Sequence, residues 1–302
     1  MGVLRRALLI ANPASRRGGR FVALAREAIE KAGMSCEVMQ TERTGHAGEI
    51  AAEHGRRYDL VFTLGGDGTA MEVAGALAGS GIAIGVLPGG TGNLLARALG
   101  IPRNVPKAVN ALARGDVRQI DLGQVLGHRF AVAAGVGSDA SMVAETPAWM
   151  KRRLGVLAYT IIATRAALRA VLLRRFFLVR IQVNGETIER RAAAVLFANF
   201  GAILEDRISF GPGILVDDGL LDCCIFSPAH LWDAMRIMWR VTRRDFRPDR
   251  ALLYRQGTHF RIETDPVQPL QADGELLGDT PAEITVQPLA AHLLIPARIP
   301  RR

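Results

Sequence analysis

Five residues, Leu60-Val61-Phe62-Thr63-Leu64, run directly into Gly65-Gly66-Asp67-Gly68-Thr69, and a helix-like stretch from Ala70 to Leu77 follows. A short, nearly unbroken apolar run of this kind reads as a strand. A strand that passes through glycines straight into a helix is half of a βαβ unit. One glycine would make such a turn. Three around an acid let the backbone approach a ligand and aim N–H groups at phosphate, where the helix dipole adds positive potential. In that turn Asp67 can bind a divalent cation or take a hydroxyl proton, and Thr69 can donate to phosphate.

The flanking sequence repeats the pattern. Ala7–Ile10 predicts a strand, Phe21–Lys31 a helix, Cys36–Met39 a strand and Ala47–His54 a helix. Ile82–Leu87 predicts another strand, leading into Pro88-Gly89-Gly90-Thr91-Gly92-Asn93. Alternation at this spacing implies a mostly parallel sheet, which binds ligands beyond the carboxyl ends of its strands. Both glycine turns fall there, as does Asn12-Pro13-Ala14-Ser15 with Gly18-Gly19. Thr91 and Asn93 stand where they either cap a helix or bind phosphate.

After Asp121 the character changes to β. Arg129–Val132, Val179–Val183, Ala194–Phe197 and Leu221–Phe226 read as strands, and Asn184-Gly185 signals a type I′ hairpin. Helical excursions are expected at about 145–175 and 229–245.

Composition narrows the function classes. The net charge of the 302 residues is +9, carried almost wholly by arginine, since Lys31, Lys107 and Lys151 are the only lysines. That excess reflects either a compositional bias or a basic face for an anionic partner. No nucleic-acid module or aromatic-interleaved basic strand accompanies it, so nucleic acid is not expected. Cys36, Cys223 and Cys224 lack disulfide or zinc spacing, which points to a reducing cytosol. The apolar run before Asn12 is too short for a signal peptide, and Arg165 and Arg169 interrupt the stretch Leu154–Leu173. The chain is expected to be soluble or peripheral. There is no G-x-x-x-x-G-K-[ST], H-E-x-x-H or G-x-S-x-G, which excludes a P-loop NTPase and leaves zincins and serine hydrolases without support.

Asn12-Pro13-x-Ser15, Gly65–Thr69 with Glu72-Val73, and Pro88–Asn93 resemble the diacylglycerol kinase catalytic-domain superfamily, which includes bacterial lipid kinases and sphingosine and ceramide kinases. Ile120-Asp121-Leu122-Gly123, Gly135-x-Gly137-x-Asp139-Ala140, Leu215–Asp222 and Asp273-Gly274-Glu275 extend the likeness in order along nearly the whole chain. The resemblance implies an α/β fold: a Rossmann-like nucleotide-binding domain at 1–122, then a β-sandwich lipid-substrate domain at 123–288. Residues 289–302 would return to the first domain, with Ala291–Ile295 as a strand. It further implies ATP and Mg²⁺ as cofactors and γ-phosphoryl transfer to a lipid hydroxyl. ATP would lie on Asn12, Thr44, His46, Gly65, Gly66, Gly68, Thr69, Gly89, Gly90, Thr91 and Asn93. Asp67 would be the catalytic or Mg²⁺-linked acid, and Glu275 with Asp273 the general-base region. Leu215, Asp218 and Leu220 match a structural Mg²⁺ site.

Diacylglycerol is the first acceptor expected, followed by a sphingoid or ceramide-type lipid. The alternatives are an NAD kinase, which also uses a Gly-Gly-Asp-Gly turn, and a silent lipid- or nucleotide-binding module. A lipid kinase must reach a bilayer, so peripheral contact with an anionic membrane surface is expected, and a homodimer is left open. On 231–244, Leu231, Trp232, Met235, Met238 and Trp239 take one side and Arg236, Arg240, Arg243 and Arg244 the other. Such a helix either lies in an anionic interface or packs its apolar side on the sandwich with a solvated basic face. The segment from Lys151 to Phe177, with Leu157, Ile161, Leu168 and Leu172 as its stripe, is a second candidate.

Overall fold

The computed structural model describes residues 5–13, 18–137, 176–203, 208–209, 211, 213–243, 245, 247 and 249–297. Ser15, Asp139, Ala140 and most of the segment 151–177 lie outside the described residues. The chain divides into two compact units, Met1–Ile120 with Leu289–Arg302, and Asp121–Pro288.

In the first unit β1 (Arg5–Ala11) pairs in parallel with β2 (Met34–Gln40) on one side and β3 (Leu60–Gly65) on the other. Beyond β3 lies β4 (Ala83–Pro88), again parallel. All of β3 and the last five residues of β1 are buried, as their apolar runs require. The connecting helices are α1 (Gly18–Lys31), α2 (His46–His54) and α3 (Asp67–Ala76). After β4 come the short α4 (Leu94–Ala98) and α5 (Val105–Ala113). At the start of α5, Asn104 Oδ1 accepts the Lys107 N–H at 3.1 Å and Pro106 occupies the first turn. Val105, Ala108, Val109 and Leu112 then form its buried stripe.

β5 (Asp116–Val125) leads into the second unit, where β6 (His128–Phe130) pairs with its end. β7 (Ala133–Val136), β8 (Phe177–Val183), β9 (Glu186–Ala192) and β10 (Ala194–Ala198) follow. The Asn184-Gly185 turn joins β8 to β9 with both residues at positive φ, 52° and 79°, as a type I′ hairpin needs. β11 (Ala202–Ile203) and β12 (Ile208–Ser209) form a small pair. Then come β13 (Leu221–Phe226), α6 (Leu231–Thr242), β14 (Leu252–Gly257), β15 (His259–Asp265), β16 (Pro269–Ala272) and β17 (Glu275–Asp279).

One antiparallel sheet runs β14-β13-β10-β7-β16-β17, and β15-β8-β9 belongs to the other. Val195, Phe197, Cys223 and Ile225 of the first sheet share a core with Val179, Ile181, Phe260 and Ile262 of the second. Phe197 meets Phe260 edge to face at 5.2 Å, so this unit is a β-sandwich.

The last strand, β18 (Ala282–Ile295), serves both units. Ala282–Thr285 pairs antiparallel with β15, while His292 and Leu293 lie parallel beside Ala83 and Ile84 of β4. The fold is thus an α/β unit with a parallel sheet followed by an antiparallel sandwich. Of the strand expected at Arg129–Val132, only the part to Phe130 forms. The Ala131 and Val132 N–H groups turn instead to the Asp273 carboxylate.

Candidate functional site

Because β1 lies between β2 and β3, the sheet order reverses there, and the carboxyl ends of β1 and β3 are the switch point at which such sheets take ligands. Asn12 stands there after β1. Its N–H donates to the Leu64 carbonyl at 2.9 Å, and its Nδ2 donates to Thr69 Oγ1 at 3.4 Å. β3 ends at Gly65 and α3 begins at Asp67, so Gly66 alone separates strand from helix. The glycine turn is therefore the first turn of α3. In that turn Gly68 and Thr69 have N–H groups without intrahelical acceptors, and Gly66 brings no side chain to cap them. Oriented donors at a helix start are a seat for an anion.

The second glycine turn is locked onto the first. Gly89 and Gly90 both donate their N–H to the Gly65 carbonyl at 2.9 Å. A Cβ on Gly90 would stand 2.6 Å from Gly66 Cα, and one on Gly89 3.0 Å from Gly65 N. At Gly89 and Gly90 the approach of the two backbones leaves no room for a side chain. Asn93, at φ 49°, accepts the Gly90 N–H on Oδ1 at 3.0 Å and donates from Nδ2 to the Gly90 carbonyl at 2.8 Å. It does not cap α4. Gly89, Gly90 and Asn93, expected to meet nucleotide, thus employ these polar groups in joining the turns. Thr91 is exposed beside them. Asp67 spans the two turns: its Oδ1 accepts the Leu95 N–H of α4 at 3.1 Å, and its Oδ2 lies where a Cβ on Gly92 would come within 2.9 Å.

Thr44 sits on the loop into α2 and His46 opens that helix, and Glu72 of α3 holds the junction. Its Oε1 accepts the Gly45 N–H at 2.9 Å and its Oε2 the Ala47 N–H at 3.1 Å. Gly45 is in the left-handed region at φ 84°, which permits this double grip. His46 Nδ1 accepts the Glu42 N–H at 3.1 Å, which places the ring proton on Nε2. Thr44 is exposed. The motif that contains Glu72 does not by itself indicate this task. Its signal is a carboxylate five residues, somewhat more than one helical turn, beyond Asp67.

In the second unit Asp273 and Glu275 part company. Asp273 Oδ1 accepts the Val132 and Ala133 N–H groups, each at 3.0 Å, and Oδ2 accepts that of Ala131 at 2.8 Å. Burial pushes this carboxyl up to about 6 against those three donors, with Glu275 adding to the rise. Both oxygens of Asp273, expected in the general-base region, are engaged with loop amides. Glu275, the first residue of β17, is exposed.

Leu215 and Asp218 are exposed and Leu220 half-buried in the turn before β13. Asp218 Oδ1 accepts the Leu220 N–H at 3.0 Å, and Asp121 Oδ2 accepts that of Gly219 at 2.7 Å. Next to them Asp222 Oδ2 is buried without a hydrogen-bond partner, and burial, with Asp218 nearby, pushes that carboxyl up to about 6. Among the described residues no cluster of three His, Cys, Asp or Glu side chains has ligand geometry.

Helix α6 does not pack its tryptophan side on the sandwich. Ala234 and Ile237 are buried, whereas Trp232, Met235 and Trp239 are exposed. Arg236 pairs with Asp233 at 3.0 Å and Asp249 at 3.1 Å, and Arg240 with Asp249 at 2.7 Å. The aromatic side faces out and two of the arginines expected to be solvated are ion-paired. Among the described residues no helix is long and apolar enough to cross a membrane.

Residues 6–125 match the diacylglycerol kinase catalytic domain, and residues 131–295, more than half of the chain, match the YegS C-terminal NAD kinase beta sandwich-like domain. A diacylglycerol kinase of Bacillus subtilis is 29% identical over 299 residues, 97% of either chain. One of Staphylococcus aureus strain Newman is 28% identical over 286 residues, 92% of this chain and 88% of that protein. An uncharacterized Synechocystis protein is 29% identical over 242 residues; the match spans 78% of this chain and 55% of that longer relative. A solved diacylglycerol kinase from Bacillus anthracis superposes with a TM-score of 0.74 at 21% identity, covering 98% of both chains. A further structure from the same strain gives 0.78 at 24%, again over 98% of both. At these identities the structural likeness is one of fold.

Proposed function

The chain belongs to the family that joins a diacylglycerol kinase catalytic domain to a YegS C-terminal sandwich domain, and we propose that it transfers the γ-phosphoryl group of ATP to a lipid hydroxyl. Diacylglycerol is the first acceptor, as the names of its relatives suggest. The observation that carries the reading is the pair of interlocked glycine turns at the start of α3, with Asp67 between them.

Phosphoryl transfer asks for alignment and charge neutralisation more than for covalent help. In this reading the first-turn amides of α3 receive the phosphates, and Asn12 holds Thr69 in place at their edge. Glu72 fixes the junction that carries Thr44 and His46, and the His46 Nε2–H is a donor for a nucleotide oxygen. A neutral lipid alcohol must lose its proton late in transfer. Glu275 and Asp67 are the carboxylates proposed for that step and for electrostatic support, whereas Asp273 shapes the loop at 131–133. Magnesium, when bound, supplies charge neutralisation on phosphate oxygens. At the turn before β13, Asp218 and the Leu215 and Leu220 carbonyls are hard oxygen donors of the kind magnesium takes, beside the unpartnered Asp222 Oδ2.

The test is purified protein with labelled ATP, Mg²⁺ and a panel of lipid alcohols in mixed micelles, with NAD as a further acceptor. Label is expected on a lipid, diacylglycerol foremost. Label on NAD and on no lipid would refute the proposal and favour the NAD kinase reading, which the description of the sandwich domain keeps in view. Asp67→Asn is expected to lower turnover at least about a hundredfold, the scale set by loss of one electrostatic or acid–base group.

A further inference from the structure

The rotation of α6 leaves an apolar stripe on the outside of the second unit. Ile237 packs with Ala251 and Leu252, and Arg236 and Arg240 are drawn onto Asp249. Those contacts turn Trp232, Met235 and Trp239 outward, with 77%, 50% and 60% of each residue exposed. The spacing i, i+3, i+7 makes one line about 10 Å long on a single helix face. The Arg243 guanidinium stacks on the Trp239 ring at 4.4 Å, and Arg236 remains 42% exposed beside the line. By the first turn opens a cavity of about 670 Å³, lined by Phe176, Arg191, Ser227, His230 and Leu231, that joins apolar walls to a cation in the same way.

We propose that this face seats the protein in the interfacial layer of a lipid bilayer, with Trp232, Met235 and Trp239 entering the headgroup–acyl boundary and Arg243 meeting lipid phosphates. The proposal rests on the lipid-kinase reading for its purpose and on α6 for its substance. Indole rings, apolar in body with a polar N–H, favour that layer. The rim of arginine complements phosphate groups. Size argues against a second copy of the chain. Three side chains at these exposures offer roughly 400 Å², about half of the ~800 Å² each partner brings to a stable protein interface. Because Arg236 and Arg240 already have carboxylate partners, seating depends on the indoles more than on anionic lipid.

The experiment is co-sedimentation with phosphatidylcholine vesicles, without nucleotide or acceptor lipid, so that a failed kinase reading leaves it untouched. Wild type is expected to bind, and the combined Trp232→Ala, Met235→Ala and Trp239→Ala variant to bind about a hundredfold more weakly, near tenfold for each indole. Raising salt to about 0.5 M is expected to change wild-type binding less than about fivefold. Should the triple variant misfold by circular dichroism, wild-type α6 can be read directly. In a Trp149→Phe background, brominated lipid is expected to quench the two remaining tryptophans, Trp232 and Trp239. Equal sedimentation of folded variant and wild type, or no quenching, overturns the proposal. So does a wild-type dimer that the variant turns into a monomer while neither binds vesicles.

Discussion

The contact between the two glycine turns is asymmetric, and that asymmetry can be tested. A Cβ on Gly90 would lie 2.6 Å from Gly66 Cα and 3.2 Å from Gly66 N. A Cβ on Gly66 has Gly90 Cα at 3.9 Å as its nearest neighbour, and Gly66 is in the extended region at φ −85°, ψ −173°. Gly66→Ala therefore adds a methyl in ordinary contact. Gly90→Ala must push two backbones apart by about 1 Å, because carbon atoms settle near 3.5–4.0 Å. Overpacking of this kind costs about 1–3 kcal/mol. If the unit that holds the turns, Met1–Ile120 with Leu289–Arg302, melts by itself, this lowers its Tm by roughly 3–10 °C, and Gly66→Ala should shift it by less than about 2 °C. A displacement near 1 Å at a positioning element costs about a hundredfold in rate. Thermal unfolding with matched turnover assays gives both readings. Equal loss of Tm in the two variants would refute the steric argument. An inactive but fully stable Gly66→Ala would instead locate the bound phosphate against Gly66.

Two further perturbations separate holding from chemistry. Glu72→Gln exchanges one acceptor for a donor facing the Gly45 or Ala47 N–H, at about 1–2 kcal/mol; the ATP KM should rise roughly 5- to 30-fold while kcat stays within about threefold, measured by steady-state kinetics. Asp273→Ala leaves three loop amides without their acceptor and should lose about 2–4 kcal/mol in urea unfolding, with less lost in Asp273→Asn, which keeps one oxygen. The Asp273 carboxyl also sets a pH trend. Its folded pKa, about 6, lies above the usual value near 4, so the native state holds the proton more tightly between those values. The group's favourable share is complete below about pH 4 and is lost as pH rises through 6, by at most about 3 kcal/mol. Asp273→Asn should flatten that part of the stability–pH curve, and an unchanged slope would show that another group causes it.

Much of the fold was legible because its signals are local. The apolar runs at Ala7–Ile10 and Leu60–Leu64 became buried parallel strands, and Asn184-Gly185 became the hairpin its positive φ values demand. What the sequence hid depends on partners distant along the chain. Asp273 reads as half of a turn motif until Ala131–Ala133 are placed against it, 140 or more residues earlier. Asn93 looks like a cap or a ligand, and only the left-handed backbone at φ 49° turns its amide back onto Gly90. For α6 the two faces were plain in the helical period, but their orientation was not. Asp249, thirteen residues past Arg236, draws the arginines inward and thereby sends the tryptophans out.

β18 makes the α/β unit discontinuous in time as well as in sequence. The ribosome delivers β1 to β4 first, but the strand that pairs with β4 is made only after the entire sandwich. Until then β4 is a sheet edge with unpaired amides and carbonyls, a surface prone to joining other chains. The nascent protein must carry that edge through synthesis of about two hundred residues, from β4 at residue 88 to the pairing residues at 292. A catalytic half cut after residue 125 would carry it permanently, so the unit that holds the glycine turns is finished only when the other unit's chain has been made.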